Sequence, residues 1–175
     1  MKAKKEISKH LVYVGIGSNI EQEKYIRIAA ISLEETFGYD CLLQLSPVYK
    51  TKAVGFDGDD FYNLVAYFYS TDSPAEVEKK LKKIEHKNGR QRNQNKFSAR
   101  NLDIDLLMYD QEVIHNDEIS IPRDEIEKYA FVLSPLADLS PDLNHPETNK
   151  NMLEMWQELK KQTCLDDLRK IDFKW

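Results

Sequence analysis

Two aspartates separated by one residue, Asp103 and Asp105, are the strongest candidates for chemistry in this sequence. They lie in the segment LDIDLLMY (102–109), whose apolar residues alternate as in a strand. Because strand side chains alternate between faces, we expect both carboxylates on one face. Carboxylates this close repel each other unless a cation neutralises them, and their oxygens suit Mg²⁺ that is bound mostly through substrate phosphates. The alternative is a solvated strand face without a metal.

Basic residues are concentrated just before these aspartates. Nine Lys or Arg residues and one acid, Glu85, lie between Lys79 and Arg100, although the whole chain carries a net charge of −5. Charge-assisted, bidentate contacts to polyphosphate oxygens are a typical use of such cations. The candidates for these contacts are Arg90, Arg92, Lys96 and Arg100. The alternative is a solubilising loop that pairs with the two aspartates.

Length and composition limit the classes of protein that fit. The 175 residues, 41% of them hydrophobic, predict one globular domain spanning 1–175. Two cysteines without a CxxC pattern suit a reducing compartment, and the basic start lacks the apolar region of a secretory signal, so a cytoplasmic protein is expected. We expect no membrane span and, given the acidic average, no general nucleic-acid binding; a monomer is the default.

Strand and helix signals alternate along the chain. Strands are predicted at 11–18, 41–51, 61–70 and 102–109, and helices at 21–37 and from the cap at Ser73 to Gly89. Pro47 makes the second strand an edge or bulged strand. A short strand (112–114), a helix (124–129), a strand (130–135) and a last helix near 149–161 are expected to follow. The order β-α-β-β-α-β predicts an α+β, ferredoxin-like sandwich with C-terminal additions.

The chain also carries an ordered set of longer motifs. GR-x-R is followed by R-x-LD-x-D-LL-x-Y, with SP-x-Y-x-T and F-x-N-x-V upstream and FVL-x-PL-x-x-x-x-PDL downstream. This set resembles the hydroxymethyl-dihydropterin pyrophosphokinases of the folate pathway. The resemblance covers nearly the whole chain and implies transfer of a pyrophosphoryl group from ATP to the pterin hydroxymethyl oxygen, with release of AMP.

The resemblance implies roles for individual residues. Asp103 and Asp105 would bind two Mg²⁺ ions, and Arg92 and Arg100 would contact the phosphates. Phe61 and Phe131 would stack on the two faces of the pterin, while Asn63 and backbone groups from Thr51 to Val54 would hydrogen-bond its edge; aromatic faces with a few polar groups suit a flat heteroaromatic ring. Glu85 matches an acidic position near the nucleotide-binding region, and Arg90 a basic one.

Several positions depart from the family pattern. Phe97, Ser98 and Ala99 replace a usual Trp-Gly-Pro, Arg123 replaces a His that interacts with phosphate or nucleotide, and Tyr129 replaces an Arg. One interpretation is that Arg123 supplies the missing charge in the nucleotide site. The other is a degenerate or altered nucleotide site. Two hypotheses follow: an active Mg²⁺-dependent pyrophosphokinase, or a divergent paralogue that binds a pterin or nucleotide without this activity or uses another acceptor.

Overall fold

A computed structural model describes residues 8–53, 58–89, 101–163, 165 and 167–175. The strands are β1 (His10–Ser18), β2 (Gln44–Leu45), β3 (Val48–Thr51), β4 (Phe61–Ser70), β5 (Asp103–Tyr109), β6 (Ile114–His115), β7 (Ser120–Ile121) and β8 (Arg169–Ile171). The helices are α1 (Gln22–Phe37), α2 (Pro74–Lys87), α3 (Glu125–Lys128), α4 (Ala130–Leu139) and α5 (Met152–Gln162), with a 3₁₀ turn at Tyr39–Cys41.

Six of the described strands form one antiparallel sheet. Its order is β5-β1-β4-β3-β8, and β2 also pairs with β4. Strands β6 and β7 form a separate hairpin. Up to Tyr109 the chain follows the order β-α-β-β-α-β, if β2 and β3 are taken as one interrupted strand. The last strand of this series, β5, lies beside β1. The predicted α+β, ferredoxin-like fold is therefore confirmed.

Hydrophobic residues fill both faces of the sheet. On β1, Val12, Val14 and Ile16 belong to one buried cluster, which includes residues of α1 and α2. Tyr13, from the intervening position on the same strand, belongs to a second cluster, which includes residues of α4 and α5. This alternation follows from the period-two geometry of a strand. The sheet is thus covered by one pair of helices on each face.

Helix α2 begins at the predicted cap. The Ser73 hydroxyl accepts a hydrogen bond from the Glu76 backbone N–H, and the Glu76 carboxylate accepts one from the Ser73 N–H at 2.9 Å. Pro74 occupies the first turn, where its missing N–H costs no hydrogen bond. Val77, Leu81 and Ile84 are buried against the sheet, so the helix has a fixed orientation beside β5.

Two expectations about the elements need correction, and one strand was not expected. The strand predicted at 41–51 is broken into the end of the 3₁₀ turn, β2 and β3, because Ser46 and Pro47 interrupt the ladder. The strand predicted at 130–135 is wrong, since these residues begin helix α4. Strand β8 was not predicted; it pairs with β3, Ile171 opposite Val48.

In the part of the chain that the structure describes, no helix combines the length and the apolar character that crossing a membrane requires.

Candidate active site

The two candidate metal ligands lie on the same face of β5. Ile104 and Leu106 are buried, whereas the intervening Asp103 and Asp105 are partly exposed. The register of the sheet places Asp103 opposite Gly17 of β1 and Asp105 opposite Gly15. Neither glycine has a side chain, so the neighbouring side chains approach β1 closely: Asn63 lies beside Gly17, and Leu107 lies beside Gly15.

Glu85 connects helix α2 to the same segment of β5. Its side chain is fully buried, and its Oε1 accepts a hydrogen bond from the Ile104 N–H at 2.9 Å. Strand β5 is at one end of the strand order, so Glu85 satisfies a donor at the edge of the sheet. Burial raises the pKa of Glu85 to about 7; Lys82 opposes this rise, and the hydrogen bond to Asp103 adds to it. Glu85 is thus a buried partner of the aspartate pair, which goes beyond a simple pairing with a neighbouring lysine.

Among the described residues, two cations approach Asp105. Lys82 Nζ and Arg123 Nη2 each lie 3.6 Å from the same oxygen, Asp105 Oδ1. Arg123 also contacts Glu125 Oε1 at 3.1 Å, and its backbone N–H donates to the Leu107 carbonyl at 2.9 Å. Burial opposes the charge on Arg123, but Asp105 and Glu125 outweigh it and raise its pKa. Arg123, predicted to lie at the nucleotide site, is therefore a permanent cation beside the aspartate pair.

A polar pair on β4 and β3 lies across β1 from the carboxylates. Asn63 Nδ2 on β4 donates to Thr51 Oγ1 on β3 at 2.9 Å, and both residues are buried. Gly17 is paired with Asn63 on one side and with Asp103 on the other. Phe61, also predicted to bind substrate, is paired with Thr51. Asn63, Thr51 and Phe61 are therefore brought together, and Gly17 links them to the aspartates.

Phe131 is positioned by a different element from the one predicted. It lies in the first turn of α4, and its ring stacks on Tyr129 with centroids 5.1 Å apart and planes 15° from parallel. Tyr129 is the residue that replaces the usual Arg of the family pattern. The structure therefore provides an aromatic pair at the start of α4.

Five candidate site residues cannot be placed. Val54, Arg90, Arg92, Lys96 and Arg100 lie outside the described residues. Lys82 was not among the candidates, although its spacing from Glu85 on a helix, three residues, is typical of an ion pair. Its contact with Asp105 depends on how α2 packs against β5, which no local pattern reveals.

The donor set fits a Mg²⁺ ion that is bound together with a substrate. Among the described residues, no group of three or more His, Cys, Asp or Glu is arranged to hold a metal. Asp103 and Asp105 provide two adjacent hard-oxygen donors. Mg²⁺ is commonly held by one or two carboxylates together with substrate phosphates, so these two residues fit an ion that arrives with a nucleotide.

Three kinds of similarity agree with this geometry. The sequence model of the family described as 7,8-dihydro-6-hydroxymethylpterin-pyrophosphokinase (HPPK) matches residues 13–141. A 2-amino-4-hydroxy-6-hydroxymethyldihydropteridine pyrophosphokinase of Aquifex aeolicus is 35% identical over 88% of this chain and 96% of its own length. The Pseudomonas aeruginosa protein of the same name is 33% identical over 78% of this chain and 84% of its length.

Solved structures support the fold. A crystal structure of HPPK-DHPS in complex with substrates matches 93% of this chain with a TM-score of 0.66 and 12% sequence identity. Wild-type Plasmodium falciparum HPPK-DHPS with SDX-DHP matches 94% with a TM-score of 0.68 and 13% identity. This chain spans about half the length of those two chains, 46% and 48%. With the sequence matches, these observations show that the chain belongs to the 7,8-dihydro-6-hydroxymethylpterin-pyrophosphokinase family.

Proposed function

We propose that this chain, a folate-pathway pyrophosphokinase, performs its reaction on the surface where β1, β4 and β5 lie side by side. The reaction transfers the pyrophosphoryl group of ATP to the hydroxymethyl oxygen of 6-hydroxymethyl-7,8-dihydropterin and releases AMP. The observation that carries this assignment is the position of Gly17 between Asp103 and Asn63. The phosphate-binding carboxylates and the polar pair for the pterin are thereby adjacent, as in-line transfer between two bound substrates requires.

Asp103 and Asp105 are the residues that would hold Mg²⁺, with two ions proposed. When bound, Mg²⁺ neutralises charge on the phosphate oxygens and makes the acceptor hydroxyl easier to deprotonate. Arg123 supplies a fixed positive charge beside Asp105 and takes over the role of the histidine that is usual at this position. Because little covalent chemistry falls to the protein, positioning and charge supply most of the acceleration.

The remaining roles complete the nucleotide site. Arg92 and Arg100 contact the phosphates, Arg90 adds a further cation, and Glu85 holds β5 in place beneath the nucleotide. A buried carboxyl that accepts a strand N–H suits this positioning role better than direct contact with phosphate, which a carboxylate would repel.

The pterin occupies the other side of Gly17. Phe61 and Phe131 stack on its two faces, Asn63 hydrogen-bonds its edge, and backbone groups from Thr51 to Val54 complete the contacts. The Asn63 carboxamide is already oriented by its hydrogen bond to Thr51. Preorganised polar groups of this kind fix the orientation of a flat ring.

We also propose that 1–175 acts as a single domain and a cytoplasmic monomer whose partners are small molecules, without nucleic acid or membrane. The net charge of −5 disfavours binding to a nucleic-acid backbone. ATP and a reduced pterin are both small molecules of a reducing compartment.

The product assay tests the transfer. Pterin-dependent AMP is expected when the protein is incubated with Mg²⁺, ATP and 6-hydroxymethyl-7,8-dihydropterin. Asp103→Asn and Asp105→Asn should each lower kcat at least about a hundredfold with pterin affinity retained, because a charged group that stabilises the transition state is lost.

Asp117→Asn is the matched control, since Asp117 is exposed in the turn between β6 and β7. Its kcat should equal that of the wild type. Intact pterin binding without AMP formation would favour the divergent binding protein or another acceptor. Normal turnover in both aspartate variants would overturn their assignment as metal ligands.

A further inference from the structure

Lys82 carries contacts that its own helix does not account for. Its Nζ lies 3.5 Å from Glu78 Oε1 and 3.3 Å from Glu85 Oε2, which are the ordinary spacings of helix neighbours. The third contact, 3.6 Å to Asp105 Oδ1, crosses from α2 to β5. A surface lysine would need only the first two partners. The third brings its ammonium group to a proposed metal ligand.

Among the described residues, carboxylates outnumber cations around this contact. Glu85 is fully buried, and a buried carboxylate is costly without a nearby cation. Lys82 and Arg123 both approach Asp105 Oδ1, so in the absence of a divalent ion these two cations partly offset the negative charge of the site. A metal ion that binds Asp105 therefore meets positive charge already in place.

The two cations differ in how firmly they are held. The guanidinium of Arg123 is anchored by Glu125, and its backbone is bonded to β5. Lys82 has a flexible four-carbon stem, and its side chain is 40% exposed. When a divalent ion arrives, Lys82 can turn away from Asp105 and keep its contacts with Glu78 and Glu85 on its own helix.

We propose that Lys82 is a positioning residue of the metal site, which neutralises Asp105 and Glu85 before the metal binds and withdraws from Asp105 when a divalent cation takes its place. The inference rests on the proposed metal role of Asp105. Its consequence is that metal binding competes with the ammonium group. Affinity for the free ion is thereby kept low, and metal enters efficiently only when the phosphates of ATP add their charge.

Metal titration without nucleotide tests this inference. Mn²⁺ is added to the wild type and to Lys82→Met, and the free ion is followed by its electron paramagnetic resonance signal. The dissociation constant should fall about three- to tenfold in Lys82→Met, as expected when a partly exposed cation is removed from a shared carboxylate. Lys82→Arg keeps the charge and should bind Mn²⁺ like the wild type. Lys82→Gln provides a second neutral variant in case Lys82→Met does not fold.

Lys80→Met is the matched control. Lys80 is on the same helix with similar exposure, but its Nζ pairs with Asp72 at 2.5 Å. Its substitution removes the same charge and should leave Mn²⁺ affinity unchanged. A purely structural role for Lys82 would lower the thermal stability of Lys82→Met and Lys82→Gln and leave the Mn²⁺ affinity of both unchanged.

The outcomes separate this inference from the proposed function. If Asp105→Asn binds Mn²⁺ as well as the wild type, the metal role of Asp105 is wrong, and the inference about Lys82 is overturned with it. If Asp105→Asn weakens binding but the neutral Lys82 variants match the wild type or bind more weakly, only the inference about Lys82 is overturned.

Discussion

Gly17 lies between the proposed metal ligand Asp103 and the proposed pterin ligand Asn63. A Cβ atom at this position would lie 3.1 Å from Asn63 Oδ1 and 3.9 Å from Phe61. The first distance is tighter than an ordinary van der Waals contact, so the Asn63 carboxamide would have to move. At Gly15, two residues earlier on the same strand, a Cβ atom would meet only Leu107, at 3.5 Å.

This difference predicts a selective effect on pterin binding. Gly17→Ala should raise the dissociation constant for 6-hydroxymethyl-7,8-dihydropterin about five- to tenfold, because a displaced carboxamide loses or misdirects one hydrogen bond. Gly15→Ala, the matched control, should leave the constant unchanged. Fluorescence titration of the pterin measures both variants. Equal affinity in the two would show that Asn63 does not hold the pterin.

At the residue scale, sequence reasoning succeeded where a local period carried the information. The shared face of Asp103 and Asp105 follows from strand alternation alone, and the structure has this alternation. The burial of Glu85 was not foreseen. Position 85 falls on the buried side of α2, where a carboxylate would ordinarily be excluded. Its partners, the Ile104 N–H of β5 and the Lys82 ammonium group, explain why an acid is tolerated there.

Among the elements, α4 shows why a short apolar run is ambiguous. Its residues from Val132 to Ala137 are all buried, so no polar face reveals a period of 3.6. Pro135 inside the run also disfavours a helix. A helix buried between the sheet and α5 thus has the pattern of a buried strand, and periodicity alone cannot distinguish them. The amphipathic helix α2, with its capping box, was predicted with its correct start.

The connection between α4 and α5 contains a buried histidine. His145 is 1% exposed, and its Nδ1 accepts hydrogen bonds from the Glu147 and Thr148 N–H groups at 3.4 Å. The backbone N–H of His145 donates to the Lys150 carbonyl at 2.9 Å. These contacts make His145 part of a structural turn between α4 and α5. Burial lowers the pKa of His145 below its ordinary value of 6.5, and Glu127 and Glu147 oppose this only partly.

This shift predicts how stability depends on pH. Below about pH 6.5 the unfolded chain binds a proton at His145 more readily than the folded protein does. The free energy of unfolding therefore decreases as the pH is lowered, by at most about 1.4 kcal/mol per pH unit. His145→Asn keeps an acceptor near Nδ1 but does not titrate, so it should show a shallower fall. Urea denaturation at about pH 7.5 and about pH 5.5 measures the difference. Parallel falls in both proteins would contradict this origin.

The part of the chain that the structure describes contains a six-stranded sheet with helices on both faces and the separate β6–β7 hairpin, and the proposed site lies where β1, β4 and β5 are adjacent. The order of β1, α1, β4, α2 and β5 was predictable because each of these elements is long enough to show its period. Strand β8 was not, since the three residues Arg169–Ile171 are too few to alternate visibly. Their pairing is determined by the edge that β3 offers to the sheet, which is a property of the tertiary structure.

Asp138 of α4 connects the helical layer to this far edge. The Tyr49 hydroxyl on β3 donates to Asp138 Oδ2 at 2.6 Å, and Lys170 Nζ on β8 contacts the same oxygen at 2.7 Å. Burial and this hydrogen bond raise the pKa of Tyr49, so its hydroxyl remains a donor at neutral pH. One carboxylate thus joins three elements that are distant in the sequence.

Asp138→Ala should therefore lower the free energy of unfolding by about 1–2 kcal/mol, because it removes a hydrogen bond to a charged acceptor and a partly exposed ion pair together. The Lys174–Asp172 pair is almost fully exposed, so Asp172→Ala should change the free energy of unfolding by less than about 0.5 kcal/mol. Urea denaturation measures both variants. If Asp138 acts through Tyr49, combining Asp138→Ala with Tyr49→Phe should cost less than the sum of the single changes. Strict additivity would mean that Asp138 does not stabilise the edge through Tyr49 and would leave its contact with Lys170 as the link to β8.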